Sequence, residues 1–262
     1  MYKNGLNDIS EALRNFQLPL YLAWSDIRQR YRRSTLGPFW ITISTGVMIS
    51  CIGLIFGGLF KAPMSEFLPF LTAGLIIWNF IACTITDSTT VFVAAESVIK
   101  QLPLPIFSHV IRIVARNFYI FLHNLVIFPL VLLIVECPLK LSSLLSIAGL
   151  IILLVNLLWI SLLLGIVCTR FRDLTQIVNS FLQIFFYITP IIWLPSLLPS
   201  KASLMLLDPN PFYHLLEIVR GPLLGKLPTS ANWTISIFLA FLGWAITISV
   251  FGKYRKRIAY WL

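Results

Sequence analysis

The chain has 262 residues, of which 58% are hydrophobic and only 11% are charged, about half the charged share of an ordinary soluble protein. Ten acidic and twenty basic side chains cannot cover a water-soluble domain of this length when most of the chain is apolar. This composition excludes a soluble globular protein and predicts an all-α integral membrane protein. The net charge of +10 does not require nucleic acid as a partner, because basic residues beside membrane helices normally face the anionic head groups of membrane lipid.

The N-terminal segment differs from the rest of the chain. It is polar and amphipathic, and it lacks the short apolar run and small-residue cleavage site of a signal peptide. We therefore expect residues 1–35 to form a cytoplasmic segment and residues 36–262 to form the transmembrane domain.

An amphipathic helix is predicted over residues 20–33. Leu20, Trp24, Ile27 and Tyr31 recur at helical spacing, and arginines occupy much of the remaining surface. Such a helix suits the head-group boundary of a membrane. Two interpretations remain open: the helix is a simple anchor, or its arginines also bind an anionic substrate, since a guanidinium group binds phosphate through two parallel hydrogen bonds.

Six apolar stretches follow, each long enough to cross roughly 30 Å of hydrocarbon, which takes about twenty residues. With both termini in the cytoplasm, only five of the twenty basic residues lie on the outer side, a clear positive-inside bias. The outer basic residues are Lys61, Lys140, Lys201, Arg220 and Lys226. The predicted spans are 36–60, 67–95, 106–135, 144–169, 174–194 and 233–251.

The third span carries charged and polar side chains on one helical face, among them Arg112, Arg116 and His123. Charges inside a membrane need partners or water. Asp87 and Arg116 lie at similar depths from the loop that joins spans two and three, so we predict that they pair. The alternative is that both side chains extend to the interface, which fits Arg112 at least as well.

Two cytoplasmic turns stand out. Residues 96–105 contain a short helix and two closely spaced prolines, which force a sharp re-entry into the membrane. Residues 170–173 form a very short charged turn between spans four and five. Both turns are either docking points for a partner protein or the ordinary connections that any helical hairpin requires.

The outer segment, residues 196–230, is rich in leucine and poor in charge. Asn210 can cap a helix that has Pro211 at its first position and continues over residues 212–224. Apolar helices too short to cross a membrane are usually re-entrant or interfacial. This segment is therefore either a lid over an outer exit or a structural cap, and Pro190 is expected to kink span five just before it.

Motifs for catalysis and metal binding are missing. The sequence has no GxxxxGK[ST] loop, no GxSxG and no HExxH, its three histidines are far apart, and its four cysteines are scattered. We predict no catalytic residues, no metal site and no cofactor bound by this chain.

Several motifs, in order, resemble the membrane subunit of ABC polysaccharide exporters, the permeases of O-antigen, capsule and teichoic acid. They are the basic run that leads into "LGPFW" at residues 26–40, the "KQLPLP" turn at 100–105, "RFRDL" at 170–174, and "NPFYHLLEIVRG" at 210–221.

This resemblance implies a homodimer of six-helix half-channels that docks two separate ATP-binding cassette subunits, which use ATP and Mg. It implies that residues 20–33 form an interface helix, that outer gate helices lie over residues 196–230, and that the cargo is an undecaprenyl diphosphate-linked polysaccharide in the bacterial inner membrane. The residues it implicates are Arg28, Arg30, Arg32 and Arg33 for the diphosphate; Glu96, Lys100, Pro103, Pro105, Arg170, Arg172 and Asp173 for ATPase coupling; and Pro211, Phe212, Tyr213, Glu217 and Arg220 for the gate.

Aromatic residues make up 14% of the chain, and aromatic stacking is a sequence-tolerant way to guide a sugar. Trp40, Trp78, Tyr119 and Tyr187 are therefore candidates for a channel lining, although aromatic belts at the two membrane interfaces also explain them. Three other functions stay open: an ABC permease for a lipid or small drug, a membrane enzyme acting on lipid-linked glycans, and a proton-coupled carrier that uses Asp87, Arg116 and His123.

Overall fold

The computed structural model describes residues 2–30, 32, 39–136, 138, 140–197, 199 and 205–262, and all regular structure within them is helical. Short 3-10 turns cover Leu141–Leu144 and Pro195–Leu197. The helices are α1 Tyr2–Arg14, α2 Gln17–Arg30, α3 Phe39–Phe60, α4 Met64–Ser88, α5 Val91–Ala94, α6 Glu96–Gln101, α7 Phe107–Leu125, α8 Ile127–Ile134, α9 Leu145–Arg170, α10 Leu174–Ile188, α11 Pro211–Leu223 and α12 Ser230–Trp261.

Five stretches within the described residues are long and apolar enough to cross a bilayer, which makes this a multi-pass membrane protein. They are α3, α4, the α7–α8 pair, α9 with its preceding 3-10 turn, and α12. Helix α10 has 15 residues and so measures about 22 Å, less than the roughly 30 Å of a hydrocarbon core. The predicted span 174–194 is therefore helical over only part of its length.

Two prolines explain where helices are interrupted. The predicted kink at Pro190 is instead the end of α10, because the residue before a proline is pushed out of the helical region, and Thr189 is extended. The break between α7 and α8 follows Leu125, whose carbonyl would clash with the ring of Pro129 four residues later.

The core surrounds α4, whose side chains Phe67, Leu71 and Ile81 are fully buried. Helices α3, α7, α9 and α11 pack against it. A second apolar cluster joins α1, α7 and α12 and includes Ile9 and Phe251. We call this end of the bundle, which carries α1, α6 and the last turns of α12, the termini end.

Glycines allow the closest helix contacts. A Cβ atom added to Gly149 of α9 would lie 2.1 Å from the carbonyl oxygen of Ile218 in α11. A Cβ atom on Gly243 of α12 would lie 2.1 Å from the indole ring of Trp159 in α9. Small residues at such crossings let membrane helices pack by close van der Waals contact, since lipid supplies little hydrophobic driving force between them.

The N-terminal helices pack onto the bundle. Helix α2 begins at Gln17, slightly before the predicted start at residue 20, and it buries Ala23 and Ile27 against α7. Trp24 remains 41% exposed, and its ring lies 5.7 Å from that of Tyr119 in α7. Of the predicted apolar face of α2, protein therefore covers Ile27 fully and Leu20 in part, and leaves Trp24 exposed. Tyr31, the last residue of that predicted face, lies outside the described residues.

Candidate functional site

Helix α10 carries a stripe of exposed polar side chains: Gln176, Ser180, Gln183 and Tyr187. Their spacings of four, three and four place them on one face of the helix. Leu182 alone among the residues of α10 is buried. Amide and hydroxyl groups that face hydrocarbon are costly unless they find water or a partner. Ser180 donates to the Gln176 carbonyl oxygen at 3.1 Å, and Gln176 lies within one turn of the exposed Asp173. Gln183 is therefore the member of this polar stripe of α10 that most needs a water-filled space or a second polypeptide beside it.

The predicted channel-lining aromatics separate into two groups. Trp40 and Tyr187 are 57% and 59% exposed. Trp78 is only 4% exposed, and its ring lies 6.0 Å from that of Phe186 and 5.7 Å from that of Phe212. The prediction for Trp78 is corrected accordingly, because its ring fills core space between α4, α10 and α11. Tyr119, the fourth candidate, is partly buried beneath α2.

The predicted cap of α11 is present. The side-chain oxygen of Asn210 accepts hydrogen bonds from the backbone N–H groups of Phe212 at 3.0 Å and Tyr213 at 3.3 Å, with Pro211 at the first position. The Asn210 amide also donates to the Thr189 hydroxyl at 2.8 Å. One side chain therefore starts α11 and holds it against the end of α10.

Arg220 of α11 is fully buried and binds three parts of the molecule. Its guanidinium group donates to the Glu217 carboxylate at 2.6 and 3.1 Å and to the Pro190 carbonyl oxygen, and it lies 4.0 Å from the ring centroid of Phe70. Burial, followed by the neighbouring Glu217 carboxylate, raises the pKa of the Tyr213 phenol. Glu217 and Arg220 are thus joined by an ion pair, and with the cap of α11 they lie at the end of the bundle opposite the termini. We call these predicted gate residues, 210–220, the gate cluster.

The two side chains predicted to pair inside the membrane are in contact. Arg116 donates to Asp87 at 2.7 Å, and the Asn117 amide donates to the same carboxylate oxygen at 2.8 Å. Both charged side chains are partly exposed, at 26% and 37%. The pair links α4 to α7 at the side of the bundle where α2 packs.

Arg112 also has a partner. The sequence had left open whether its long side chain pairs or extends to the membrane interface. Its guanidinium group makes two hydrogen bonds of 2.8 and 2.5 Å to the carboxylate of Asp26 in α2. The arginines predicted to bind a diphosphate follow Asp26 in sequence. Arg28 and Arg32 are exposed, whereas Arg33 and the side chain of Arg30 lie outside the described residues.

The first predicted coupling turn presents charge at the termini end. Glu96 and Lys100 of α6 form an ion pair at 2.6 Å, with both side chains nearly half exposed. Pro103 is exposed and Pro105 is buried, so the second proline anchors the turn where the chain enters α7.

The second predicted coupling turn also lies at the termini end. Arg170, Arg172 and Asp173 are all exposed. The Arg170 guanidinium group lies 5.5 Å from the ring centroid of Trp261, near the end of α12. The two charged turns therefore face the same side of the membrane.

Asp8 is a structural residue that sequence reasoning missed. Its carboxylate is fully buried and accepts from the backbone N–H groups of Ile106 at 3.1 Å and Phe107 at 3.0 Å, and from Arg255 at 2.6 Å. It thereby caps α7 directly after the Pro105 turn. The available signal was that α7 has no acidic residue in its own first turn, but nothing local pointed to a residue almost a hundred positions away.

Metal-ligating side chains do not cluster in the part of the chain that the structure describes, where no group of three or more His, Cys, Asp and Glu residues could hold an ion. Two of the three histidines have individual structural contacts instead. His214 bonds to Asn232 and to the Asp208 carbonyl group, and His123 bonds to the Tyr119 carbonyl group.

Comparison with known proteins agrees with this arrangement. Residues 19–224 match the family described as ABC-2 type transporter. Two relatives from Klebsiella pneumoniae, both named O-antigen export system permease protein RfbA, are each 22% identical over 248 residues, which cover 93% of this chain and 94% of the relative. The match spans the predicted interface helix, both coupling turns and the gate cluster. The chain is a member of the ABC-2 type transporter family.

Proposed function

We propose that this chain is the transmembrane subunit of an ATP-driven exporter that moves undecaprenyl diphosphate-linked polysaccharide, most specifically O-antigen, across the bacterial inner membrane. The chain has no ATPase motif of its own and works as a homodimer with two ATP-binding cassette subunits. The two relatives from Klebsiella pneumoniae are named O-antigen export system permease proteins, and these names support this cargo.

The polar stripe of α10 is the observation that carries the proposal. A lipid-embedded chain has no use for exposed Gln176 and Gln183 side chains unless they face water or another protein. A second copy placed beside α10 would enclose the stripe and give a polar passage, with Tyr187 and Trp40 available for stacking on sugar rings. In this arrangement α10 and the segment that follows it complete a sixth crossing.

The proposed orientation has both termini in the cytoplasm. It places the two charged turns, around Glu96 and around Arg170, where a soluble ATPase subunit can contact them. It also places the exposed Arg28 at the cytoplasmic head-group region, where a lipid diphosphate arrives. The cluster around Asn210 and Arg220 then lies at the outer exit, and we assign it the role of a gate.

Deletion of this chain from its native host tests the proposal. We expect loss of surface polysaccharide and accumulation of lipid-linked polymer on the cytoplasmic side, with recovery when the intact chain is restored. Restoration with a chain carrying Glu96→Arg and Arg172→Glu should insert normally but fail to restore export, because the ATPase docking surface is changed.

The competing functions give different results in the same experiment. Normal surface polysaccharide after deletion would contradict polysaccharide export and favour a permease for a lipid or small drug. Accumulation of incompletely polymerised or unmodified glycan would instead indicate an enzyme acting on lipid-linked glycans.

A further inference from the structure

A small cavity lies between α2 and the first turns of α7, separate from the polar stripe of α10. Its volume is about 80 Å³, and its polar lining consists of Asp26, His109, Arg112 and Arg116. The three α7 residues are spaced three and four apart, so they share one face of the helix. Apolar side chains of α5 and α7 close the remaining walls.

Two polar atoms at this cavity are buried and make no hydrogen bond within the described part of the chain. They are Nε2 of His109 and Nε of Arg116. His109 is 4% exposed and lines the cavity. Buried nitrogen atoms are normally satisfied by protein or water. Two unpartnered nitrogens about two turns apart on one face of α7 therefore indicate a place where ligand atoms are received.

The other groups around the cavity define its charge. Arg112 is bound by Asp26 and Arg116 by Asp87, of which only Asp26 lines the cavity. The described lining therefore has two guanidinium groups and one carboxylate. Asp26 binds Arg112 through two parallel hydrogen bonds, the same geometry in which a guanidinium group binds phosphate.

We propose that this cavity is an oxyanion site that receives one phosphoryl group of a lipid diphosphate in place of the Asp26 carboxylate. One phosphoryl group of a lipid- and sugar-linked diphosphate has the single charge and two terminal oxygens of a carboxylate, so it can replace Asp26 at Arg112 in the same geometry. The whole diphosphate carries two charges and four terminal oxygens, which offers further acceptors to the free nitrogens of His109 and Arg116. The volume of about 80 Å³ has room for several water molecules, which suits one phosphoryl group. The choice of a lipid diphosphate rests on the proposed function.

Occupation of the site would change the position of α2. Asp26 supplies the ion pair between α2 and α7, whereas the neighbouring buried contacts, Ala23 and Ile27, are apolar. Displacing Asp26 leaves α2 held by apolar packing alone and allows it to shift. Arrival of the lipid head group is thereby communicated to the helix that carries the exposed Arg28.

Equilibrium binding to the full-length chain in phosphatidylcholine nanodiscs tests this site, with labelled undecaprenyl diphosphate as the probe. Asp26→Asn removes the competing carboxylate and should tighten binding by about tenfold. Arg112→Gln and Arg116→Gln should each weaken binding by at least tenfold. Lys100→Gln, which removes an exposed cation at the same end of the bundle, is the matched control and should leave binding unchanged.

The Asp26 variant makes the test decisive, because a merely misfolded protein would bind less tightly. Binding by Asp26→Asn that equals the wild type, or is weaker, would overturn the site. If Arg28→Gln loses binding and Arg112→Gln does not, the diphosphate lies on the outside of α2, and the proposed site is also overturned. If the wild type binds no undecaprenyl diphosphate at all, the proposed cargo is wrong.

Competitors identify the chemical source of the phosphoryl group. Inorganic pyrophosphate should displace the labelled lipid from the wild-type chain, and displace it more effectively from Asp26→Asn. That result would support recognition of the diphosphate group itself. Phosphatidylglycerol that competes as well as the unlabelled lipid diphosphate would place an ordinary phospholipid in the cavity and overturn the assignment.

Discussion

Helices α4 and α10 both lie in the membrane region, yet their surroundings are opposite. Helix α4 is the most thoroughly enclosed span, with Phe67, Leu71 and Ile81 fully buried, whereas α10 buries only Leu182. In a water-soluble protein an exposed stripe of polar side chains is ordinary because water covers it. Here hydrocarbon surrounds the chain, so the polar stripe of α10, which lies beside the exposed apolar Ile177 and Ile184, marks the position of a channel or a second copy.

Arg220 connects these two regions, and its removal should have the largest effect. Arg220→Met leaves Glu217 and the Pro190 carbonyl group without their buried partner, which should cost about 3 kcal/mol. We expect a clearly lower thermal unfolding midpoint in detergent and loss of export. Lys226→Met, at an exposed position just beyond α11, should change neither; equal loss in the two variants would show that the buried contacts do not hold α11 in place.

Close packing between α9 and α11 should give the next largest effect on stability. Gly149→Ala forces a Cβ atom against the backbone of Ile218 and should destabilise the chain by about 2 kcal/mol. Gly58→Ala is the matched control, because nothing lies within 4 Å of the added atom. The measurement is the thermal midpoint of the two purified variants. Unchanged stability in Gly149→Ala would contradict the close crossing of α9 and α11.

The Asp87–Arg116 pair should contribute less, because both side chains are partly exposed. We expect Asp87→Arg and Arg116→Asp each to lower stability by about 1 kcal/mol through repulsion and an unpaired charge. Combining the two substitutions should restore most of the loss. A double variant no better than the single variants would show that the two charges act independently.

The polar stripe of α10 should contribute least to stability and most to transport. Gln176→Leu together with Gln183→Leu should change the unfolding free energy by no more than about 0.5 kcal/mol, as for exposed positions elsewhere, while export falls sharply. Ile177→Leu with Ile184→Leu, on neighbouring exposed positions of the same helix, should leave both unchanged. Full export by the glutamine double variant would remove the stripe from the transport path.

Local signals made part of this molecule predictable from its sequence. Long apolar stretches located five spans, although the helix of the second ends at Ser88 instead of residue 95 and that of the last continues to Trp261. The cap at Asn210 needed only the residue and the proline after it. The Asp87–Arg116 contact followed from two depths measured along neighbouring helices. The family resemblance was confirmed by the match over residues 19–224.

Features that depend on distant contacts could not be predicted in this way. The apolar stretch after Leu174 continues to residue 194, but the rigid ring of Pro190 ends its helix early. Asp26 meets Arg112 across 86 positions, and Asp8 caps α7 across 99. Trp78 was a candidate for the channel lining because aromatic rings stack on sugars, but a Trp ring also fills a buried core, as it does here.

Thiol accessibility compares the exposed face of α10 with lipid-exposed surface most directly. In a chain without its native cysteines, Gln183→Cys of α10 and Phe238→Cys of α12 are placed one at a time; Phe238 is 61% exposed and lies on an apolar surface. A charged, membrane-impermeant thiol reagent reacts with thiolate, which requires water. We predict that the α10 cysteine reacts in membranes containing the assembled transporter and that the α12 cysteine does not. Equal protection of both would contradict a water-accessible face on α10 and with it the proposed passage.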